Sequence, residues 1–171
     1  MKIGFIGLGI MGKPMTKNLL KAGYELLVYD INTAAVEEIR AAGAASAASI
    51  AEVGAACEIV ITMLPNSPHV KEVALGDGGL VGSMKSGSVL IDMSSIAPLC
   101  SKEVSAALAE KGVLMLDAPV SGGEPKAIEG TLSVMVGGEK EIFDKCYDIM
   151  KSMAASVVYV LIPPIDISLI L

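Results

Sequence analysis

Three glycines, at Gly7, Gly9 and Gly12, lie directly after the apolar segment Lys2–Ile6. A short apolar segment is typical of a buried parallel strand, so the glycines fall at a turn from a strand into a helix. There, Gly7 allows a tight turn, Gly9 lets the backbone approach a phosphate, and Gly12 lets the helix pack closely on the sheet. Because the first helical N–H groups and the helix dipole face the turn, the pattern predicts a pyrophosphate-binding loop.

The residues that follow strengthen this prediction. Met15 and Leu19 recur at helical spacing, and Gly23 is a typical helix end. A second apolar segment, Leu26–Tyr29, then ends at Asp30. In a dinucleotide-binding fold, an acid about twenty residues beyond the glycines accepts hydrogen bonds from the adenosine ribose. The alternative is a glycine-rich turn that holds no ligand.

The composition limits the class of protein. The chain has 171 residues, of which 53% are hydrophobic and 4% aromatic, which fits one aliphatic domain with a sheet covered by helices. Its net charge is −6 and it has no block of basic residues, so we expect no nucleic-acid partner. No segment combines the length and apolarity of a membrane span. Glycines interrupt the apolar start where a signal peptide would continue, so a cytoplasmic location is expected.

Cysteine and histidine are sparse. The cysteines Cys57, Cys100 and Cys146 form no CxxC pair, and His69 is the sole histidine. This set predicts neither a metal cluster nor a disulfide framework. Cys57 and Cys146 lie in apolar patterns and are expected in the core.

Strand and helix patterns alternate along the chain, which predicts an α/β fold with a doubly wound, mostly parallel sheet. Expected strands cover about 2–6, 26–29, 58–64, 88–93, 113–116, 131–138 and 156–160. Expected helices cover about 13–22, 33–40, 68–75, 98–111 and 139–153, and the alanine-rich segment 44–56 is expected to carry a short helix. Residues 1–160 are therefore interpreted as one dinucleotide-binding domain. The tail 161–171 is apolar, contains two adjacent prolines and has no regular pattern. It is either an edge strand or packed extended segment, or a chain end out of register with its parent gene.

Ligands of open parallel sheets lie beyond the carboxyl ends of the strands. Small or polar loops are expected at four such ends: Gly7–Gly12, Leu64–Pro65, Ser94–Ser95 and Ser121–Gly123. Two carboxylates, Asp92 and Asp117, also fall at strand ends. They could act as a general acid or base, but capping of the following loops is the favoured interpretation. A catalytic role for His69 is disfavoured because no partner carboxylate is evident nearby in the sequence.

Four long segments carry a family resemblance: GFIGLGIMGKPMTKNLLKAGY, ITMLPNSPHVKEV, LIDMSSIAP and DAPVSGGEPKAIEGTLSVMVGG. They are similar to the 3-hydroxyacid dehydrogenase family and, within it, most similar to its tartronate semialdehyde reductases. The resemblance runs from Met1 to about Val160. It implies a Rossmann-type domain and hydride transfer between a nicotinamide cofactor and a small 3-hydroxy acid or its semialdehyde. The reaction implied is the reduction of 2-hydroxy-3-oxopropanoate to D-glycerate.

The resemblance also implies roles for individual residues. Substrate contacts fall to Ser121, Gly122 and Gly123, whose amides and hydroxyl would hold the substrate carboxylate. Asp30 with no arginine directly after it favours NAD over NADP, because an acid repels a 2′-phosphate. The expected cofactor-binding residues are Gly7, Leu8, Gly9, Ile10, Met11, Gly12, Asp30, Leu64, Pro65, His69 and Ser95.

One family motif has no counterpart. The family's general acid/base is a lysine in a Gly-x-Gly-Asn-x-x-x-Lys motif just after the last strand, where this chain has the tail 161–171. The family's helical second domain is also missing from the sequence. Without both, little or no turnover is expected from this chain alone, whereas the intact enzyme is expected to be a homo-oligomer. The alternatives are a 3-hydroxyisobutyrate-type dehydrogenase and a non-catalytic dinucleotide-binding module.

Overall fold

The computed structural model describes residues 1–160, and the predictions for the tail 161–171 lie outside the described residues. The strands are β1 Lys2–Ile6, β2 Glu25–Tyr29, β3 Ala45–Ser46, β4 Ile59–Thr62, β5 Val89–Asp92, β6 Leu114–Asp117, β7 Val120–Ser121, β8 Leu132–Val136 and β9 Ala154–Tyr159. The helices are α1 Gly12–Lys21, α2 Thr33–Ala41, α3 Ile50–Ala56, α4 Ser67–Leu75, α5 Leu80–Ser83, α6 Pro98–Ala109, α7 Gly123–Glu129 and α8 Lys140–Lys151.

The main sheet has six parallel strands in the order β3-β2-β1-β4-β5-β6. The chain first winds outward from β1 to β3 and then returns to continue on the other side of β1 from β4. In such a sheet a crevice opens between the two central strands, outside their carboxyl ends, where the winding direction reverses. The prediction of a doubly wound, Rossmann-type α/β fold is confirmed.

Apolar layers cover both faces of this sheet. In β4, Ile59 and Ile61 belong to one buried cluster, which includes side chains of α1, α2 and α8, whereas Val60 belongs to a second cluster with α3, α4 and α6. Burial on both faces explains why the central strands are apolar at every position rather than at alternate ones. Cys57 and Cys146 are buried in these layers, as predicted, and so is Cys100.

The last three strands form a second sheet, which the sequence pattern does not separate from the first. Its order is β7-β8-β9, with β7 antiparallel and β9 parallel to β8. An isolated antiparallel bridge between Asp117 and Gly137 joins the end of β6 to this sheet. Unlike the central strands, β8 alternates buried and exposed residues, because only one of its faces is covered.

Four short elements were not predicted. They are the two-residue strands β3 and β7, the one-turn helix α5, and α7, which begins at Gly123 inside a segment expected to be a loop. Elements this short carry too few residues for a periodic pattern. No helix among residues 1–160 is long and apolar enough to cross a membrane.

Close packing of α3 on β1 depends on Gly4. A Cβ atom built at Gly4 would lie 2.4 Å from Val53 Cγ1 and 3.2 Å from Val60 Cγ2. We expect Gly4→Ala to lower the free energy of unfolding by about 1–3 kcal/mol, because overpacking moves α3 away from the sheet. Urea denaturation measures this change. Gly82→Ala is the matched control, since nothing lies within 4 Å of its Cβ position. Equal stability of the two variants would contradict the packing argument.

Candidate functional site

A cleft of about 740 Å³ lies at the carboxyl ends of β1, β2 and β4. It opens where the strand order reverses, which is the position that the fold predicts for a ligand. The predicted cofactor residues that line it are Gly7, Gly9, Ile10, Met11, Gly12, Asp30, Leu64, Pro65 and His69.

The three glycines of the loop are in different surroundings. A Cβ at Gly7 would lie 2.2 Å from the Met63 carbonyl oxygen, and Gly7 also has φ of +101°. A Cβ at Gly12 would lie 1.8 Å from the Gly7 carbonyl oxygen. Gly9 has no atom within 4 Å of its Cβ position and does not have a positive φ. The protein itself therefore requires glycine at Gly7 and Gly12, whereas the space beside Gly9 is open to the cleft.

The first turn of α1 faces this space with N–H groups that have no side-chain cap. Met11, the N-cap residue, makes no side-chain capping hydrogen bond, and the first turn contains no acidic residue. The Lys13 amide bonds back to the Gly9 carbonyl at 3.1 Å, which closes the loop onto the helix. A helix N-terminus without its own cap or acid is a favourable place for an anion. The loop and helix together fit a pyrophosphate.

Asp30 is tied to the glycine loop. Its Oδ2 accepts a hydrogen bond from the Leu8 amide at 2.6 Å, and its Oδ1 accepts one from the Asn32 amide at 2.7 Å. Each carboxylate oxygen has a further lone pair, so both can also accept from a ribose hydroxyl. The Leu8 side chain is buried outside the cleft lining, and Leu8 acts on the loop through its amide, which holds Asp30.

On the opposite side, the cleft is bordered by Leu64, Pro65 and the first turn of α4. Asn66 caps α4, and its Oδ1 accepts from the His69 amide at 3.3 Å and contacts the His69 Nδ1 at 2.6 Å. Because the amide bond identifies this Asn66 atom as oxygen, Nδ1 must be the donor. The Nε2 of a neutral His69 ring is then an acceptor.

Other predicted residues do not line the cleft. Ser95 is exposed in the loop after β5, and Ser121, Gly122 and Gly123 lie where β7 meets α7. For Ser121, Gly122 and Gly123 the separation has a structural cause, since the chain leaves the main sheet after β6 and enters the second sheet. Gly122 and Gly123 have φ of +138° and +66°, so both positions favour glycine.

Sequence reasoning missed several residues of the cleft. Ile31 follows Asp30 with 89% of its surface exposed, and Ile50 and Val73 add apolar contacts from α3 and α4. The position of Ile31, directly after the strand-end acid, is a signal that could have identified it. Ile50 and Val73 belong to ordinary helical patterns, and only the tertiary arrangement brings them to the cleft.

Asp92 and Asp117 end adjacent strands in register. Asp92 is fully buried, and its Oδ1 accepts hydrogen bonds from Thr62 and Ser94, whereas its Oδ2 has no partner within residues 1–160. Burial raises the pKa of Asp92, and the Ser94 and Thr62 bonds oppose the rise. Burial likewise raises the pKa of Asp117, opposed by the Ser101 hydroxyl. The bonds of Asp92 agree with the interpretation that it caps the following loop.

The family model described as the NAD binding domain of 6-phosphogluconate dehydrogenase matches residues 2–161. The chain belongs to this family. It is thus an NAD-binding domain, and the sequence resemblance to the 3-hydroxyacid dehydrogenases is confirmed.

Known relatives of this NAD-binding domain differ in the reactions that their names state. NAD-dependent L-serine dehydrogenase of Pseudomonas aeruginosa is 44% identical over 91% of this chain and 52% of its own length. The 2-hydroxy-3-oxopropionate reductase of Escherichia coli is 42% identical over 94% of this chain and 54% of its own length. A solved structure of 3-hydroxyisobutyrate dehydrogenase from Mycobacterium tuberculosis with L-serine superposes with a TM-score of 0.88 at 34% identity, covering 92% of this chain and 53% of that chain. The chain spans about half the length of these relatives.

The raised pKa of Asp92 has a consequence for stability. A carboxyl that is harder to ionise when folded stabilises the fold below its ordinary pKa of 3.8, and this contribution is lost as pH rises toward the folded pKa. Asp92→Asn removes the titrating carboxyl. We therefore expect the unchanged chain to lose stability relative to this variant as pH rises above 3.8. Urea denaturation across this range measures the difference. The exposed Asp77→Asn is the control, and parallel curves for Asp92→Asn and the unchanged chain would contradict the expectation.

Proposed function

We propose that this chain binds NAD in the cleft between the glycine loop and α4, as the cofactor domain of a semialdehyde reductase. The observation that carries the proposal is the contrast among the glycines. Gly7 and Gly12 are required by contacts within the protein, but the space beside Gly9 is open and lies next to the uncapped N-terminus of α1. A Cβ at Gly9 would meet no protein atom, so packing within the protein does not explain why this residue is glycine. The missing side chain instead leaves room for a ligand to approach the backbone there.

The rest of the dinucleotide follows from this anchor. The adenosine ribose would contact Asp30, and the adenine would lie against the exposed Ile31. The nicotinamide end would extend past Leu64 and Pro65 toward Ser95. The negative charge of Asp30 supports NAD over NADP, since a 2′-phosphate would be repelled. Ser121, Gly122 and Gly123 are proposed to hold the carboxylate of the substrate.

We further propose that the whole protein reduces tartronate semialdehyde (2-hydroxy-3-oxopropanoate) to D-glycerate. Bound NADH supplies the hydride in such a reaction. Support comes from the four long segments described above and from the 42% identity to the E. coli 2-hydroxy-3-oxopropionate reductase. A 3-hydroxyisobutyrate-type activity is the nearest alternative, because a solved dehydrogenase of that name has the same fold at 34% identity. A cytoplasmic location and a homo-oligomeric whole enzyme stay predictions of the sequence.

Cofactor binding is tested by Gly9→Ala. We expect the variant to keep the stability of the unchanged chain, because its Cβ meets no protein atom within 4 Å. NADH should bind at least about tenfold more weakly, since loss of a charge-assisted hydrogen bond to a phosphate corresponds to about 1.5–3 kcal/mol. Titration of NADH fluorescence measures the dissociation constant, and NADPH should bind more weakly than NADH. Gly82→Ala is the control, and unchanged NADH affinity in Gly9→Ala would refute this placement of the pyrophosphate.

The substrate is tested by NADH oxidation with the whole protein. We expect tartronate semialdehyde to give a higher kcat/KM than methylmalonate semialdehyde, the oxidised form of 3-hydroxyisobutyrate. The opposite order would favour the 3-hydroxyisobutyrate alternative. NADH binding without oxidation by either compound would favour a non-catalytic dinucleotide-binding module.

A further inference from the structure

A buried polar chain joins the loops that follow β4 and β5. The Leu64 amide donates a hydrogen bond to Ser94 Oγ at 2.9 Å, and Ser94 Oγ donates to Asp92 Oδ1 at 2.6 Å. Thr62 Oγ1 donates to the same Asp92 oxygen at 2.8 Å. Ser94 and Asp92 are fully buried and Thr62 is 1% exposed, so water does not compete for the two hydroxyl bonds to Asp92, and the bond from the Leu64 amide is partly buried.

The direction of every bond in this chain is determined. A hydroxyl has a single proton, and the Ser94 proton goes to Asp92 because the Leu64 amide, a donor itself, occupies a lone pair of Ser94 Oγ. Asp92 Oδ1 also accepts from the Ser94 amide at 3.2 Å. The Ser94 hydroxyl therefore accepts one hydrogen bond and donates another, so the position of Asp92 fixes that of the Leu64 amide.

Leu64 needs such a partner because it lies just past the hydrogen-bond ladder of the sheet. The Met63 amide still bonds to the Ile6 carbonyl at 3.0 Å, as a further rung beside β1. The Leu64 amide bonds to the Ser94 side chain instead, and Pro65 has no N–H to donate. The Ser94 hydroxyl thus replaces the backbone acceptor that a neighbouring strand would give to the amide of Leu64, a residue that lines the cleft.

We propose that Ser94 is a positioning residue for dinucleotide binding: through its hydrogen bond to the Leu64 amide it holds the Leu64–Pro65 border of the cleft in place. This inference rests on the proposed NAD site. Ser94 itself does not line the cleft and acts only through Leu64. A border held by a buried bond does not have to be ordered when the ligand arrives, which lowers the entropic cost of binding.

Two matched variants of the full chain separate positioning from general stability. Ser94→Ala and Thr62→Val each remove one buried hydroxyl donor to Asp92 Oδ1, but only Ser94→Ala also leaves the Leu64 amide without its acceptor. Both variants should lower the melting temperature. We expect the dissociation constant for NADH to rise about tenfold in Ser94→Ala and to stay within about twofold in Thr62→Val.

Amide hydrogen exchange gives a direct readout of the same bond. Protection of the Leu64 amide should be lost in Ser94→Ala and kept in Thr62→Val, measured where both are folded. If Ser94→Ala does not fold, Ser94→Cys replaces it, because a thiol is a weaker acceptor of similar size, and a smaller increase in the dissociation constant is expected.

The outcomes distinguish this inference from the proposed function. If the unchanged chain fails to bind NADH, the proposed function and the inference both fall. If the unchanged chain binds NADH but Ser94→Ala and Thr62→Val lose affinity equally, or Leu64 protection persists in Ser94→Ala, the inference alone is overturned. Selective loss of both affinity and Leu64 protection in Ser94→Ala supports it.

Discussion

The contact between Gly12 and the Gly7 carbonyl sets the geometry on which the cleft depends. At Gly12 a Cβ would lie 1.8 Å from that carbonyl oxygen, so only glycine lets α1 start this close to the end of β1. With any larger residue, the helix would have to move outward, and its first N–H groups would no longer face the space beside Gly9. The short distance from strand to helix therefore makes this α/β connection suitable for the proposed anion.

The positive end of the site comes from the backbone rather than from lysines. Lys13 and Lys17 of α1 both donate to the Glu38 carboxylate of α2, each at 2.7 Å. These hydrogen bonds, the one from Lys13 first, lower the pKa of Glu38 to about 2. Both ammonium groups thus join two helices on the surface. A chain with net charge −6 can still attract a dinucleotide, because helix N–H groups supply a local positive potential.

The sequence predicted those parts of the fold that repeat a pattern over several residues. The central strands and the longer helices agree with it, because burial on both faces or on one helical face leaves a readable period. It did not predict the second sheet or α7, since β7 has two residues and α7 starts on glycine. In the site, the glycines and Asp30 carried a local signal, whereas Ile50 and Val73 reach the cleft only through tertiary packing. The binding roles of all these residues stay predictions.

The borders of the cleft on its two sides are built by the same device. Backbone ladder bonds continue one residue past β1 and β4, from the Gly7 amide to Tyr29 and from the Met63 amide to Ile6. At the next residue a side chain from the end of a neighbouring strand takes over: Asp30 accepts from the Leu8 amide, and Ser94 accepts from the Leu64 amide.

The two acceptors differ in a way that suits their positions. The Ser94 hydroxyl is neutral and buried, so it adds no unpaired charge to the interior. Asp30 is partly exposed and charged, and it keeps lone pairs for a ligand hydroxyl. Ser94 therefore acts only by holding its border, whereas Asp30 both fixes its loop and presents an acceptor to the cleft. Since side chains that follow neighbouring strands hold both borders, the proposed dinucleotide would meet a cleft whose shape already exists.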